Sequence, residues 1–134
     1  DRNAVRDRYF DIADAIQKRR RSPEQISQWA MVRSETAARQ PRLARLLGRS
    51  NIDVASGERI LIYERDDGEL ALTEEYASDE NVRYLLQRLH DTAARFETIF
   101  ESEAALRHAF PAITPTTNIE AARTRPEIRQ LNFF

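Results

Sequence analysis

Between two runs that alternate in hydropathy, RILIYER (59–65) and ELALTEEY (69–76), stands Asp66-Asp67-Gly68. Asp-Gly between alternating runs is among the strongest short-range signals for a β-hairpin, because Gly takes the positive φ that closes the turn without steric cost. A hairpin here commits the middle of the chain to antiparallel β structure. Both alternation classes carry apolar residues (Ile60 and Ile62 against Leu61 and Tyr63), so both faces of the hairpin are expected to be largely covered.

The cover comes from helices. Val5, Tyr9, Ile12 and Ile16 recur at spacings of 4, 3 and 4 and predict an amphipathic helix over 3–20, running into Lys18-Arg19-Arg20-Arg21. Ser22-Pro23-Glu24-Gln25 is a capping-box pattern that starts a short helix or turn. Residues 26–34 read equally as strand or helix. After Pro41, Leu43, Leu46 and Leu47 form the apolar side of a further helix that Gly48 can end. Val82, Leu85, Leu86, Leu89, Ala93, Phe96 and Phe100 predict a long helix through residue 100, with Ser78-Asp79-Glu80 as its cap. Another turn or two of helix is expected over 103–110. The expected fold class is α+β: mainly helical, with one β-hairpin or small antiparallel sheet and a flexible C-terminal tail.

Residues 111–129 hold three of the five prolines, mixed with Thr and Arg, and read as an extended or disordered linker. The expected organisation is therefore a folded domain over 1–110, a linker over 111–129 and a terminal peptide over 130–134. The chain begins with Asp rather than Met, which suits a piece of a longer protein.

Composition narrows the chemistry. Without Cys there is no disulfide, thiol catalysis or Cys-based zinc site. His90 and His108 are the only histidines, and neither lies in a metal-ligand spacing. Three Gly leave no glycine-rich phosphate loop. Asp66-Asp67 are turn residues, and adjacent Glu74 and Glu75 would point to opposite faces of a strand, so no two-metal site is expected. No catalytic residue, cofactor or metal is expected in this chain. No segment reads as a membrane span or a secretory signal, and a cytoplasmic location is the expectation.

Charge is polarised. The first fifty residues carry 12 Lys/Arg against 6 Asp/Glu, whereas residues 51–110 carry 6 against 14. A basic half hints at a nucleic-acid face, and a solvated helix surface explains it equally well. All basic residues but Lys18 are Arg, whose planar fork suits phosphate.

Read in order, VRDRYFDIADAIQKRRRSPEQISQWAMVRSE, then RQPRLARLLGRSNIDVASGERILIYE, then YASDENVRYLLQRLHDTAARFETIF, the chain resembles the C-terminal thumb region of family B DNA polymerases. That family shows a helix and a PEEL-like turn, an extended segment, and a QPHV-type helix. A strand with a Gly-Asp-Arg start and a YYL-type helix follow. The corresponding pieces are Ser22–Ile26, Gln40–Leu47, Ile52–Ile62 and Asp79–Leu89, and the resemblance covers about residues 5–100. The chain departs from the pattern where Tyr84 stands in place of two Tyr and where the acidic pair before that helix is shifted. The palm motifs that bind metal and nucleotide are absent from these residues.

The resemblance implies a non-catalytic module that grips primer–template duplex through sequence-independent phosphate contacts. Candidate contacts are Lys18, Arg19, Arg20, Arg21, Arg39, Arg42, Arg45 and Arg49. Arg42, Arg45 and Arg49, spaced 3 and 4 apart, share a helix face. Mg2+ would belong to a catalytic palm on another chain or domain, itself an expected partner. The terminal Gln130-Leu131-Asn132-Phe133-Phe134 is similar to the QL(S/D)LF peptide with which bacterial proteins bind the sliding clamp, with Phe133 replacing Leu. Leu131 and the two Phe would fill a groove while Gln130 satisfies its rim, on a micromolar scale set by the cost of ordering a tail. Two other readings stay open. One is a clamp-binding adaptor or inhibitor without DNA affinity. The other is an interaction module whose Phe133 and Phe134 pack on their own core.

Overall fold

A computed structural model gives the protein's structure over residues 2–97 and 110–124. The expected helical piece at 103–110 falls almost wholly outside the described residues, as do residues 125–129 of the linker and the peptide 130–134. The fold is α+β, with helices and one three-stranded antiparallel sheet. The described chain divides into two compact units. One is the continuous stretch Arg21–Asn81, and the other joins the residues before it to those from Val82 onward.

The continuous unit holds the sheet. Residues 26–34, ambiguous in sequence, resolve as strand β1 (Gln28–Met31). It pairs antiparallel with β2 (Arg59–Glu64), Trp29 opposite Leu61 and Met31 opposite Arg59. Strand β3 (Leu70–Leu72) flanks the other side of β2. The hairpin turn forms as its sequence demands. Gly68 takes φ +87, its N–H donates to the Arg65 carbonyl at 2.9 Å, and the Arg65 N–H donates to Glu69 at 2.8 Å.

Two short helices, α2 (Ser34–Arg39) and α3 (Pro41–Arg49), pack on one face of this sheet. Pro41 interrupts what would otherwise be one helix, since proline has no N–H to continue the ladder. Leu43, Leu46 and Leu47 are buried with Val32, Ile62 and Leu70. Each such side chain taken out of water contributes about 1.5–3 kcal/mol. Gly48 does not end α3. The helix runs to Arg49, and Asn51 adopts the left-handed conformation at φ 56 instead. The Ser22–Gln25 capping box is present although no helix follows: Ser22 N–H donates to Gln25 Oε1 at 3.0 Å and Gln25 N–H to Ser22 Oγ at 3.3 Å.

The other face of the sheet is covered at one end. Tyr63 packs edge-to-face against Tyr76, with ring centroids 5.6 Å apart, and donates to Asp79 at 2.6 Å. A 3₁₀ turn (Thr73–Glu75) leads into this cover. Asp79 and Glu80 were expected to cap the long helix. They serve the sheet instead: Glu80 is buried, its backbone forms an isolated antiparallel β-bridge with that of Arg65, and its carboxylate accepts from Tyr76 Oη at 3.0 Å.

The helical unit consists of α1 (Arg2–Gln17), α4 (Val82–Glu97) and α5 (Ile119–Thr124) with the segment leading into α5. Its core gathers Tyr9, Phe10, Ala13 and Ile16 of α1, Val82, Leu86 and Ala93 of α4, and Phe110, Ile113, Ile119 and Ala122. Val5, placed on the buried stripe by spacing, is 37% exposed, while Phe10 and Ala13 are fully buried. The stripe thus keeps Tyr9 and Ile16, with Ile12 partly buried, and widens to take in Phe10 and Ala13.

The linker expectation needs correction over 111–124. This stretch is tied to α1: Tyr9 Oη donates to the Pro111 carbonyl, and Gln17 Nε2 donates to the carbonyls of Thr114 at 3.1 Å and Thr117 at 2.8 Å. Pro115 occupies the second position of a turn closed by Thr117 N–H to Thr114 O at 3.2 Å. Asn118 then caps α5 through Ala121 N–H at 3.1 Å. Pro115 marks a turn here, and Ile113, Ile119 and Ala122 are buried.

Candidate nucleic-acid interface

The arginine row on α3 exists as the spacing requires, but it faces the hairpin. Arg42 Nη1 pairs with Glu64 and donates to the Gly68 carbonyl at 2.7 Å. Arg45 grips Glu69 with both ends of its fork, Nη2 to Oε1 at 2.7 Å and Nε to Oε2 at 3.1 Å. Arg49 donates to the Leu70 carbonyl at 3.2 Å and lies 3.6 Å from Glu75. The three guanidiniums therefore run down the hairpin, each against a different carboxylate.

The titration behaviour follows. The hydrogen bond from Arg45 holds the Glu69 carboxyl below its usual range, and the same bond raises the Arg45 guanidinium. Asp67 is lowered chiefly by the Glu69 N–H, donated to its Oδ1 at 2.9 Å, and then by Arg65. Tyr63 is pushed upward, first by burial and then by its bond to Asp79, so it stays a neutral donor through the physiological range.

The remaining candidate cations are dispersed. Lys18 pairs with Asp14 one helical turn back, and Arg20 Nη1 lies 4.0 Å from the same carboxylate. Arg19 takes φ 53, which ends α1 without a glycine. Arg39 stands exposed in the last turn of α2, and Arg21 is half-buried at the start of the sheet unit. Lys18, Arg19 and Arg20 belong to the helical unit, whereas Arg21, Arg39, Arg42, Arg45 and Arg49 belong to the other. The clamp-peptide candidates Gln130, Leu131, Asn132, Phe133 and Phe134 lie outside the described residues.

Two further residues come together on the sheet. Trp29, on β1, is 58% exposed, and the Arg59 guanidinium sits over its ring, 4.6 Å from the centroid. No sequence signal marked the pair: only the strand pairing brings the chain's single Trp beside the strand that begins at Arg59. Among the described residues no group of His, Asp and Glu is disposed to hold a metal ion, and no helix is long and apolar enough to cross a membrane.

Comparison with known protein families, with characterised proteins and with solved structures finds no match to this chain.

Proposed function

We propose that this chain is the duplex-gripping thumb part of a family B DNA polymerase, with Gln130–Phe134 as its tether to the sliding clamp. One observation carries the reading. The most specific stretch of the resemblance, QPRLARLLGRSNIDVASGERILIY, folds into a helix (Pro41–Arg49) packed on a strand (Arg59–Glu64), and the extended segment before it becomes the neighbouring antiparallel strand. The chain would supply grip and reach while a palm elsewhere supplies Mg2+ and chemistry. Clamp attachment would raise the effective concentration of the module at a primer end.

The ion pairs set the condition for phosphate contact. Arg42, Arg45 and Arg49 must exchange Glu64, Glu69 and Glu75 for phosphate, so duplex affinity is modest and steeply salt-dependent. The deciding experiment titrates labelled primer–template duplex at low and raised salt. Arg42→Ala with Arg45→Ala weakens binding, and Glu64→Gln with Glu69→Gln, which frees the arginines, strengthens it. Unchanged affinity in both double variants counts against the thumb. For the tether, the chain binds a bacterial sliding clamp at micromolar strength, and truncation after Arg129 abolishes that binding.

The same ion pairs favour a second reading, a clamp-binding adaptor or inhibitor without DNA affinity. Arginines already satisfied by carboxylates offer phosphate less. Clamp binding that depends on the terminal peptide, with no duplex binding at low salt, selects this reading over the first.

A further inference from the structure

The sheet of the 21–81 unit has one face under α2 and α3; on the opposite face Tyr63 is buried against Tyr76, whereas Trp29 is 58% exposed. At the Trp29 end the side-chain alternation brings together Trp29 and Met31 of β1 with Arg59 and Leu61 of β2. Arg33, in extended backbone at φ −136 beyond β1, continues the same alternation. This end of the face therefore has an aromatic ring, two half-buried apolar side chains and two guanidiniums, and no carboxylate in the row.

An exposed Trp is costly surface for a small protein, and here it is held in place. Arg59 stacks on the ring, which restricts its rotamers and covers one side with a cation. The geometry points to a stacking platform for an unpaired nucleic-acid strand. A base lies on the open side of Trp29, forming a guanidinium–indole–base sandwich, while Arg33 and Arg59 meet the flanking phosphates. Stacking needs a base whose face is free, which a closed duplex does not offer. Charge complementarity selects a polyanion over an apolar peptide, and because every base has a π-face the stacking contact is sequence-tolerant. The inference rests on the nucleic-acid reading above and adds a single-strand contact to it, separate from the arginine row of α3.

The test exploits Trp29 as the chain's only tryptophan, so intrinsic fluorescence reports this position alone. The full chain is titrated with a short fluorescein-labelled oligothymidylate and, separately, with a blunt duplex, following Trp emission and label anisotropy together. The expected result is saturable quenching by oligothymidylate with the same midpoint as the anisotropy. Trp29→Ala then weakens binding about 5- to 150-fold, as loss of one stacked base requires. Trp29→Phe keeps most of the affinity and Arg59→Ala loses part of it. Far-UV circular dichroism of Trp29→Ala verifies that the sheet is intact. If oligothymidylate binds by anisotropy without quenching and Trp29→Ala binds as well as the wild type, the platform is wrong and the nucleic-acid reading stands. If only the duplex binds, the platform again falls alone. If neither nucleic acid binds at low salt, both fall.

Discussion

Tyr63 and Tyr9 are both buried tyrosines with a satisfied hydroxyl, yet the partners lie at very different distances along the chain. Tyr63 reaches Asp79 across a separation of 16 residues, whereas Tyr9 reaches Pro111 across 102. The same contrast holds throughout the two units. The sheet unit closes on itself through Arg42–Glu64 and Arg45–Glu69, separated by 22 and 24 residues. The helical unit closes through Gln17–Thr117 and Arg123–Asp11, separated by 100 and 112. Loop-closure entropy grows only slowly with length, so both closures are affordable, but contacts distant in sequence form late and are lost together. One unit can assemble from a single stretch, and the other must bring α1 together with α4 and α5.

The largest effect comes from removing the ring of Phe10, fully buried in the helical unit and flanked by Arg6 and Arg123 guanidiniums at 4.8 and 5.7 Å. Phe10→Ala costs about 3–5 kcal/mol by transfer and cavity terms together. Hydrogen exchange then shows α1, α4 and α5 amides exposed while β1 and β2 amides keep their protection. Loss of protection in both units at once would mean that the chain unfolds as one body.

Leu46→Ala is the mirror experiment. Leu46 is fully buried under the sheet, and its truncation costs about 2–5 kcal/mol. Exchange should accelerate in Arg21–Asn81 and leave α4 unchanged. A response confined to α4 would reverse the assignment of the units.

Tyr63→Phe is smaller, about 1–2 kcal/mol for the lost hydroxyl bond to Asp79. It also carries a pH signature. The folded-state pKa of Tyr63 lies above the ordinary value of 10.0, so its contribution is complete below that pH. The contribution declines as pH rises beyond it, because the unfolded tyrosine ionises first. The wild-type sheet unit therefore loses stability above about pH 10, and Tyr63→Phe shows a shallower alkaline decline in chemical denaturation monitored over that range.

The smallest effect lies at the surface of the hairpin. Glu69 and Asp67 have folded pKa values below their ordinary 4.5 and 3.8, held there by Arg45 and by the Glu69 N–H respectively. Their contribution is present above those ordinary values and fades as pH falls through the depressed ones. Glu69→Gln with Asp67→Asn flattens the acid limb of the sheet unit and leaves that of the helical unit alone. Equal acid limbs before and after substitution would show that the exposed pairs are fully screened.

Local chemistry made much of the sheet unit legible. Asp66-Asp67-Gly68 dictates a turn with positive φ at Gly68, whatever surrounds it, and Leu43, Leu46 and Leu47 share a helical face by spacing alone. The strand at Gln28–Met31 was not legible. Trp29, Ala30 and Met31 suit helix and strand alike, and the edge of β2 decides the matter by offering backbone partners. The linker expectation failed for a related reason. Proline and threonine content describes local stiffness, not whether Ile113 and Ile119 find a core, and here that core is supplied by α1 at the opposite end of the sequence.

The candidate interface divides in the same way. Spacing put Arg42, Arg45 and Arg49 on one helix face, and composition made the following hairpin acidic. What the spacing could not contain was that these two features meet. Helix periodicity fixes which side chains point together, because that is set by 3.6 residues per turn within one element. Which way the face points is set by the packing of Leu43, Leu46 and Leu47 on Ile62 and Leu70, which turns the arginines onto Glu64, Glu69 and Glu75. Local spacing and composition carry the main helices, the hairpin turn and the polarised charge. Only the tertiary structure decided that the positive row meets the negative hairpin and that Trp29 is left open beside Arg59, since burial and pairing belong to contacts between elements rather than to any one of them.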